Sequence, residues 1–238
     1  MQRHFDDQIK ELLERLVFMG RTADAMITLS LRALIERNPA HCDEVMRQES
    51  DVNRLQIEVD DRAIKLTALQ QPVASDVRFL FMSSRIGTEL ERIADQAVNI
   101  CQNVSRLLEA PPLKPLVDIP IMAEIAQKMV ENALEALVKR DPALARAVIE
   151  DEDKVDAFRH QIFRELLTYM MADPATIPRA LSLILISRNL ERVGDHATNI
   201  AEEVIYLVEG RDVRHQKDVR HDDAVFPPRP SNPDTSAT

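Results

Sequence analysis

The chain has 238 residues, enough for one large domain or two modest ones, with four Gly, no Trp and 45% hydrophobic residues. Few glycines mean few tight turns and therefore few, long elements, and a formal net charge of −10 opposes nonspecific binding to nucleic acid or anionic lipid. Two cysteines, Cys42 and Cys101, are too few for a disulfide framework and have no metal-type spacing, which fits a reducing compartment.

Residues Met1 to Ile9 carry Asp6 and Asp7 and no apolar core of a secretory signal. Helical periodicity starts at Ile9, with Leu12, Leu13, Leu16, Val17, Met19, Gly20, Ala23, Met26, Ile27, Leu31 and Leu34 repeating at three and four, and stops at Asn38-Pro39. A second helix is predicted from about Ala40 to Leu69, with Val45, Val52, Leu55, Val59, Ala63 and Leu66 inward. It ends before Gln71-Pro72, because proline disfavours helix in the residue preceding it. Ser75 or Asp76 is the expected cap of a third helix, which carries Phe79, Leu80, Met82, Ile86, Leu90, Ile93, Ala97, Ile100, Val104 and Leu107.

After the proline-rich linker the same grammar returns. Asp118 is the expected cap of a helix with Pro120 in its first turn, running to about Lys139. Asp141-Pro142 reads as an N-cap followed by proline at the first helical position, where a missing N–H costs nothing, and this fifth helix runs to about Met171. Residues 176–178 open the sixth, and Gly210 is its expected left-handed cap.

The predicted fold is all-α: two tandem three-helix bundles, residues 1–110 and 118–210, joined by a linker over 111–117. Helices of this length are rods of about 35 to 50 Å. Residues 211–238 hold Pro227, Pro228, Pro230 and Pro233 with no apolar period, and are expected to be a disordered tail. No segment is long and apolar enough to span a bilayer, so work at a membrane requires docking to something already there.

The duplication shows most plainly in polar residues. Leu90-Glu91-Arg92-Ile93-Ala94-Asp95-Gln96-Ala97-Val98-Asn99-Ile100 returns one hundred residues later as Leu190-Glu191-Arg192-Val193-Gly194-Asp195-His196-Ala197-Thr198-Asn199-Ile200, seven of eleven positions being identical. Residues four apart on a helix lie one above another, so Glu91, Asp95 and Asn99 form one oxygen-bearing stripe, and Glu191, Asp195 and Asn199 another. About forty residues before each stripe stands a second pair, Glu49 with Asn53 and Glu152 with Asp156, early in the middle helix of its bundle. In an antiparallel hairpin the pair and the stripe can face each other, as in carboxylate-bridged metal sites of helical bundles.

That donor set, oxygen throughout apart from nearby His196, suits hard or borderline cations: Mg, Mn or Fe, with Zn or Ni if His196 takes part. The Glu-x-x-His pair of ferritin-like di-iron sites is absent. The bland alternative is a solvated acidic face, or stripes paired by Arg92 and Arg192. No Gly-rich phosphate loop, Gly-x-Ser-x-Gly or Cys/His nucleophile arrangement occurs, so the chain shows no catalytic machinery and an enzyme is not expected. A metal-dependent hydrolase and a metal-free helical scaffold stand as alternatives to a regulatory adaptor.

The doubled Leu-Glu-Arg-Ile/Val-Ala/Gly-Asp-x-Ala-x-Asn-Ile, with its matching Glu-x-x-x-Asn/Asp pairs, resembles the PhoU family of accessory proteins of bacterial phosphate-specific transport, over about residues 5 to 210. The resemblance implies a cytoplasmic, usually dimeric regulator without catalytic activity. Such a regulator restrains the phosphate ABC transporter and informs a membrane sensor histidine kinase, so that phosphate-starvation genes stay off when phosphate is plentiful. It also implies metal on the acidic motifs: here Glu49, Asn53, Glu91, Asp95 and Asn99 in the first half, and Glu152, Asp156, Glu191, Asp195 and Asn199 in the second. Asn53 departs from the pattern, leaving the first set one negative charge short of the second.

Overall fold

The computed structural model describes residues 2–70 and 72–214. Six long helices account for nearly all of them: α1 (Gln2–Glu36), α2 (Ala40–Gln70), α3 (Ala74–Leu108), α4 (Asp118–Lys139), α5 (Pro142–Ala172) and α6 (Ile177–Glu209), with one 3₁₀ turn at Pro174–Thr176. No strand occurs among the described residues. The predicted inward faces hold: Val45, Val52, Leu55, Val59, Ala63 and Leu66 are buried on α2, and the full predicted set from Phe79 to Leu107 on α3.

The turns repeat as well as the helices. Arg37 and Arg140 both take left-handed backbone, with φ of 54° and 52°. Behind them the Asn38 and Asp141 carboxamide and carboxylate oxygens accept from the backbone N–H groups of Ala40 (3.1 Å) and Ala143 (2.9 Å). Asp141 also accepts from Leu144 N, satisfying a second orphan donor of α5 as its position before Pro142 predicts. Gly210 closes α6 with φ of 69°. Two expected caps differ. The residue before α3 is Val73, which has no side-chain cap bond, because the helix starts at Ala74 and takes Ser75 and Asp76 into its first turn; likewise Val117 precedes α4, and Asp118 is already inside it. Both acids still favour the positive end of a helix dipole.

The two bundles lie side by side rather than merely in series. Helix α3 packs on α1 and α2, α6 packs on α4 and α5, and α3 and α6 then pack on each other, with α1 and α4 touching as well. Contacts of residue 85 with 203 and of 89 with 196 and 199 run in opposite senses, so α3 and α6 are antiparallel and relate the halves by an approximate half-turn. This double duty sets their composition. Both helices bury residues on two faces, including Ser83, Gln96 and Asn103 on α3 and Ser182, Ser187 and Thr198 on α6. Gln127 of α4 donates to Asp24 (3.0 Å) and Thr28 (2.7 Å) of α1 at the second junction.

Residues 211–214 carry no regular structure but are held: Val213 packs on the core and Arg214 pairs with Glu203 and Asp212. The rest of the expected tail, 215–238, lies outside the described residues.

Candidate functional site: two acidic clusters at the waist

The repeat motifs meet where α3 crosses α6. In the first half, Glu49 of α2 lies within electrostatic reach of Glu91 and Asp95 of α3, and burial, followed by this mutual repulsion, raises both α3 carboxyl pKa values. Asn53 donates through Nδ2 to Glu49 Oε1 at 3.3 Å, and its own Oδ1 is buried without a hydrogen-bond partner. Asn99 is half-buried on the same helix; its backbone carbonyl accepts from Asn103.

The second half is more strongly charged. Asp195 of α6 is pushed up to about 6, by burial first and then by Glu191, Glu152 and Asp156. Asp156 is raised by burial and by Glu152, while Arg159 and His160 oppose the rise. Arg159 Nε lies 2.8 Å from Glu191 Oε1, so a guanidinium one turn beyond Asp156 partly neutralises the stripe. Glu152 accepts from Thr198 Oγ1 at 3.2 Å, tying α5 to α6.

Asn199, the last oxygen donor of the second stripe, also reaches out of its bundle: its Nδ2 donates 2.9 Å to Glu89 Oε2 of α3. Arg92 pairs with Glu89 Oε1 at 3.3 Å and acts on Glu91 only through space, while Glu191 has Arg159 at 2.8 Å with Arg188 and Arg192 adding to its field.

Glu89, which the repeat does not single out, is therefore the hub between the clusters. It also meets His196 Nδ1 at 2.8 Å, with both side chains 14% exposed. Burial pushes Glu89 up, but the bonds from His196 and Asn199 outweigh it and the net shift is downward. The signal that could have revealed it is asymmetry: Asn189 stands where the first half has Glu89, and Gln96 where the second has His196. His196 acts electrostatically on Glu91, Asp95 and Asp195, so the two clusters share one neighbour.

The donors fit a hard cation in chemistry: carboxylates that hold one another's pKa up are relieved by positive charge. The geometry is open, since among the described residues no three His, Cys, Asp or Glu side chains gather as a ready metal site. Chemically, the arrangement of half-buried carboxylates can bind cations or cationic groups of a partner.

An all-helical, internally duplicated bundle with paired acidic motifs near the contact of its halves defines a class of tandem three-helix-bundle proteins. Comparison makes this specific. The family profile described as PhoU domain matches residues 16–104 and again 119–204, and the chain belongs to that family. It is 38% identical over 209 residues to the phosphate-specific transport system accessory protein PhoU homolog of Aquifex aeolicus, covering 88% of this chain and 95% of that one. The homolog of the same description from Pseudomonas aeruginosa is 35% identical over 216 residues, 90% of this chain and 89% of that one. The crystal structure of PhoU from Pseudomonas aeruginosa superposes with a TM-score of 0.83 at 34% identity, covering 87% of this chain and all of that one. The fold is shared with PhoU from Streptococcus pneumoniae, TM-score 0.81 at 22% identity, over 88% of this chain and 99% of that one.

Proposed function

We propose that this protein is the accessory regulator of a phosphate transport system. It works in the cytoplasm as a homodimer, docking the ATPase subunit of a phosphate ABC transporter and a sensor histidine kinase, and keeps phosphate-starvation genes off when phosphate is sufficient. The observation that carries the reading is family membership across both repeats, with relatives described as phosphate-specific transport system accessory proteins. Two structural facts support it. No described helix is long and apolar enough to cross a membrane, so action on a transporter goes through docking. The described residues present rigid helical rods and acidic stripes, and relatives of this chain are described as accessory proteins rather than enzymes.

The acidic clusters are the proposed ligand site of this adaptor. Glu49, Asn53, Glu91, Asp95 and Asn99 would hold a cation in the first half, and Glu152, Asp156, Glu191, Asp195 and Asn199 in the second, with Fe, Mn, Zn, Ni and Mg as candidates. A cation there would neutralise the stripes, and it can shift partner choice only through unequal affinity for the two docked states. At the second cluster it must exchange with Arg159 at Glu191.

The test is a deletion strain complemented with the wild type or with a Glu91, Asp95, Glu191, Asp195 quadruple Ala variant, read by a phosphate-starvation reporter and by elemental analysis of each purified protein. Constitutive reporter activity in the deletion strain, restored to phosphate control by the wild type, is the expected result. Unchanged repression in the deletion strain would overturn the adaptor. Turnover of phosphate esters that needs Glu191 and Asp195 would replace it with a metal-dependent hydrolase. A metal-free wild type that still represses would leave the clusters as a partner-facing acidic surface.

A further inference from the structure

Residues 111–116 of the linker, the C-terminal ends of α1 and α3 and the start of α6 together line a cavity of about 300 Å³. Leu34, Leu107 and Leu183 are buried in its wall, and Ile35, 53% exposed, stands at its mouth. The cavity lies where the halves are joined covalently, away from the acidic motifs. Its linker wall is fixed from several sides. Arg37, in the left-handed turn after α1, donates to the carbonyl oxygens of Leu107 (3.4 Å), Leu108 (3.2 Å) and Ala110 (2.7 Å). Arg179 of α6 donates to Pro111 O at 3.1 Å, and Lys114 pairs with Glu165 of α5. Prolines at 111, 112 and 115 restrict the remaining backbone, so the space is formed before anything enters it.

Charge sets this cavity apart. In a chain of net charge −10, the described residues that line it include no Asp or Glu; the two charged ones are Arg37 and Lys114, and all the others are Leu, Ile or Pro. The Lys114 side chain is 6% exposed and is balanced by Glu165, which does not line the cavity. Arg37 is different. Its bonds go to carbonyl oxygens and to no carboxylate, so its charge has no counter-ion, and three of its five N–H donors are engaged, leaving two for an incoming acid.

We propose that this cavity binds a medium-chain aliphatic carboxylate, its acyl chain among Leu34, Leu107 and Leu183 and its carboxylate at Arg37. A preformed apolar pocket with a single oriented polar group is the usual form of a small-molecule site. At about 30 Å³ for each water-sized group, the volume takes about ten non-hydrogen atoms, the size of an acid of about eight carbons. Walls of Leu, Ile and Pro offer no aromatic ring for stacking and suit a flexible acyl chain. A guanidinium that lacks an acid partner favours a carboxylate through charge-assisted hydrogen bonds. The ligand would touch α1, α3, α6 and the linker together, so its binding stabilises the arrangement in which the halves are joined. The proposal is independent of the phosphate-transport reading.

The probe is octanoate, titrated into the full-length protein in a calorimeter. One octanoate is expected to bind per chain and to raise the melting temperature. Octanol, which keeps the chain and lacks the charge, and acetate, which keeps the charge and lacks the chain, should each bind about tenfold more weakly or worse. Arg37→Gln should weaken octanoate binding about tenfold, and Ile35→Glu, an exposed change that sets an acid at the mouth, should weaken it at least as much while the helical circular dichroism stays. Phe81→Glu, on an exposed apolar face elsewhere on α3, should leave it unchanged. No heat and no rise in melting temperature with octanoate overturns the proposal. So does octanol binding as tightly as octanoate, octanoate binding that survives both Arg37→Gln and Ile35→Glu, or binding lost with Phe81→Glu, which would place the acyl chain on a different surface.

Discussion

The carboxylate of Glu89 on α3 lies 2.8 Å from Nδ1 of His196 on α6, and this contact joins the two halves of a duplicated molecule through residues the duplication does not share. The equivalent positions hold Asn189 and Gln96, so the half-turn that relates the bundles is broken at their junction. Replacing the carboxylate by an amide leaves His196 and Asn199 a single neutral acceptor oxygen. Glu89→Gln is expected to cost about 1 kcal/mol in urea unfolding. A double-mutant cycle with His196→Gln should give a coupling of about 0.5 kcal/mol or more; additivity of the two changes would show that the contact is not formed in solution.

Acid should act on Glu89 and Asp195 in opposite ways in metal-free protein. Glu89 has a lowered pKa in the folded chain, so its contribution is present above the usual carboxylate range and is lost as pH falls through the folded value. Asp195 is raised from 3.8 to about 6, so the native state holds its proton more tightly than the unfolded chain does. Stability therefore declines as pH rises from about 4 to about 6 on account of this group. The side chain stays open to water on one side, which keeps the effect to about 1 kcal/mol or less. Asp195→Asn should flatten the slope between pH 4 and 6 in urea melts; an unchanged slope would mean the repulsion is relieved in solution.

Gly194 occupies the position where the first half has Ala94, which is buried in the same packing layer. A Cβ placed on Gly194 would lie 3.6 Å from Val155 Cγ1 and 3.7 Å from the Met129 side chain, ordinary contact distances. Gly194→Ala should therefore stabilise α6 by about 0.5–1 kcal/mol through backbone entropy, seen as a higher urea midpoint. Destabilisation would show that α5 and α6 sit closer than this.

Loss of the α5 cap is the opposite case. Asp141→Ala deprives the N–H groups of Ala143 and Leu144 of their acceptor and should cost about 1 kcal/mol. Asp141→Asn, which keeps an acceptor and matches Asn38 of the first turn, should recover most of it.

Arg159 competes with any cation for Glu191. If the second cluster binds metal, Arg159→Gln should tighten Mn binding in calorimetry, because one fixed positive charge is removed from the stripe. Weaker binding would assign Arg159 a role in orienting Glu191 instead.

The helices were legible because each carries its period plainly. Helix α2 shows a narrow stripe from Val45 to Leu66 that faces α1 and α3 together, whereas α3 adds Ala94, Gln96, Cys101 and Asn103 to the predicted set. That breadth is the trace of the α3–α6 contact; a period can mark which residues turn inward but not which of two partners each one meets. The acidic motifs were readable as repeats, and Glu49, Glu91 and Asp95 do come together. The bond from Asn199 to Glu89 was not legible, because spacing along one helix fixes a residue's face, while this acceptor comes from another bundle 110 residues away. Asp118 and Ser75 failed as caps for a different reason: good capping residues are also tolerated inside a first turn, and tertiary packing chose the start.

The antiparallel crossing of α3 and α6 has a consequence for recognition. A body with approximate half-turn symmetry offers a partner two nearly equal ways to dock, head-first or reversed. Direction must then come from whatever differs between the ends: Asn53 in place of an aspartate, His196 in place of a glutamine, and Gly210 set against Arg78 of α3. These few departures from the repeat give the rod its compass.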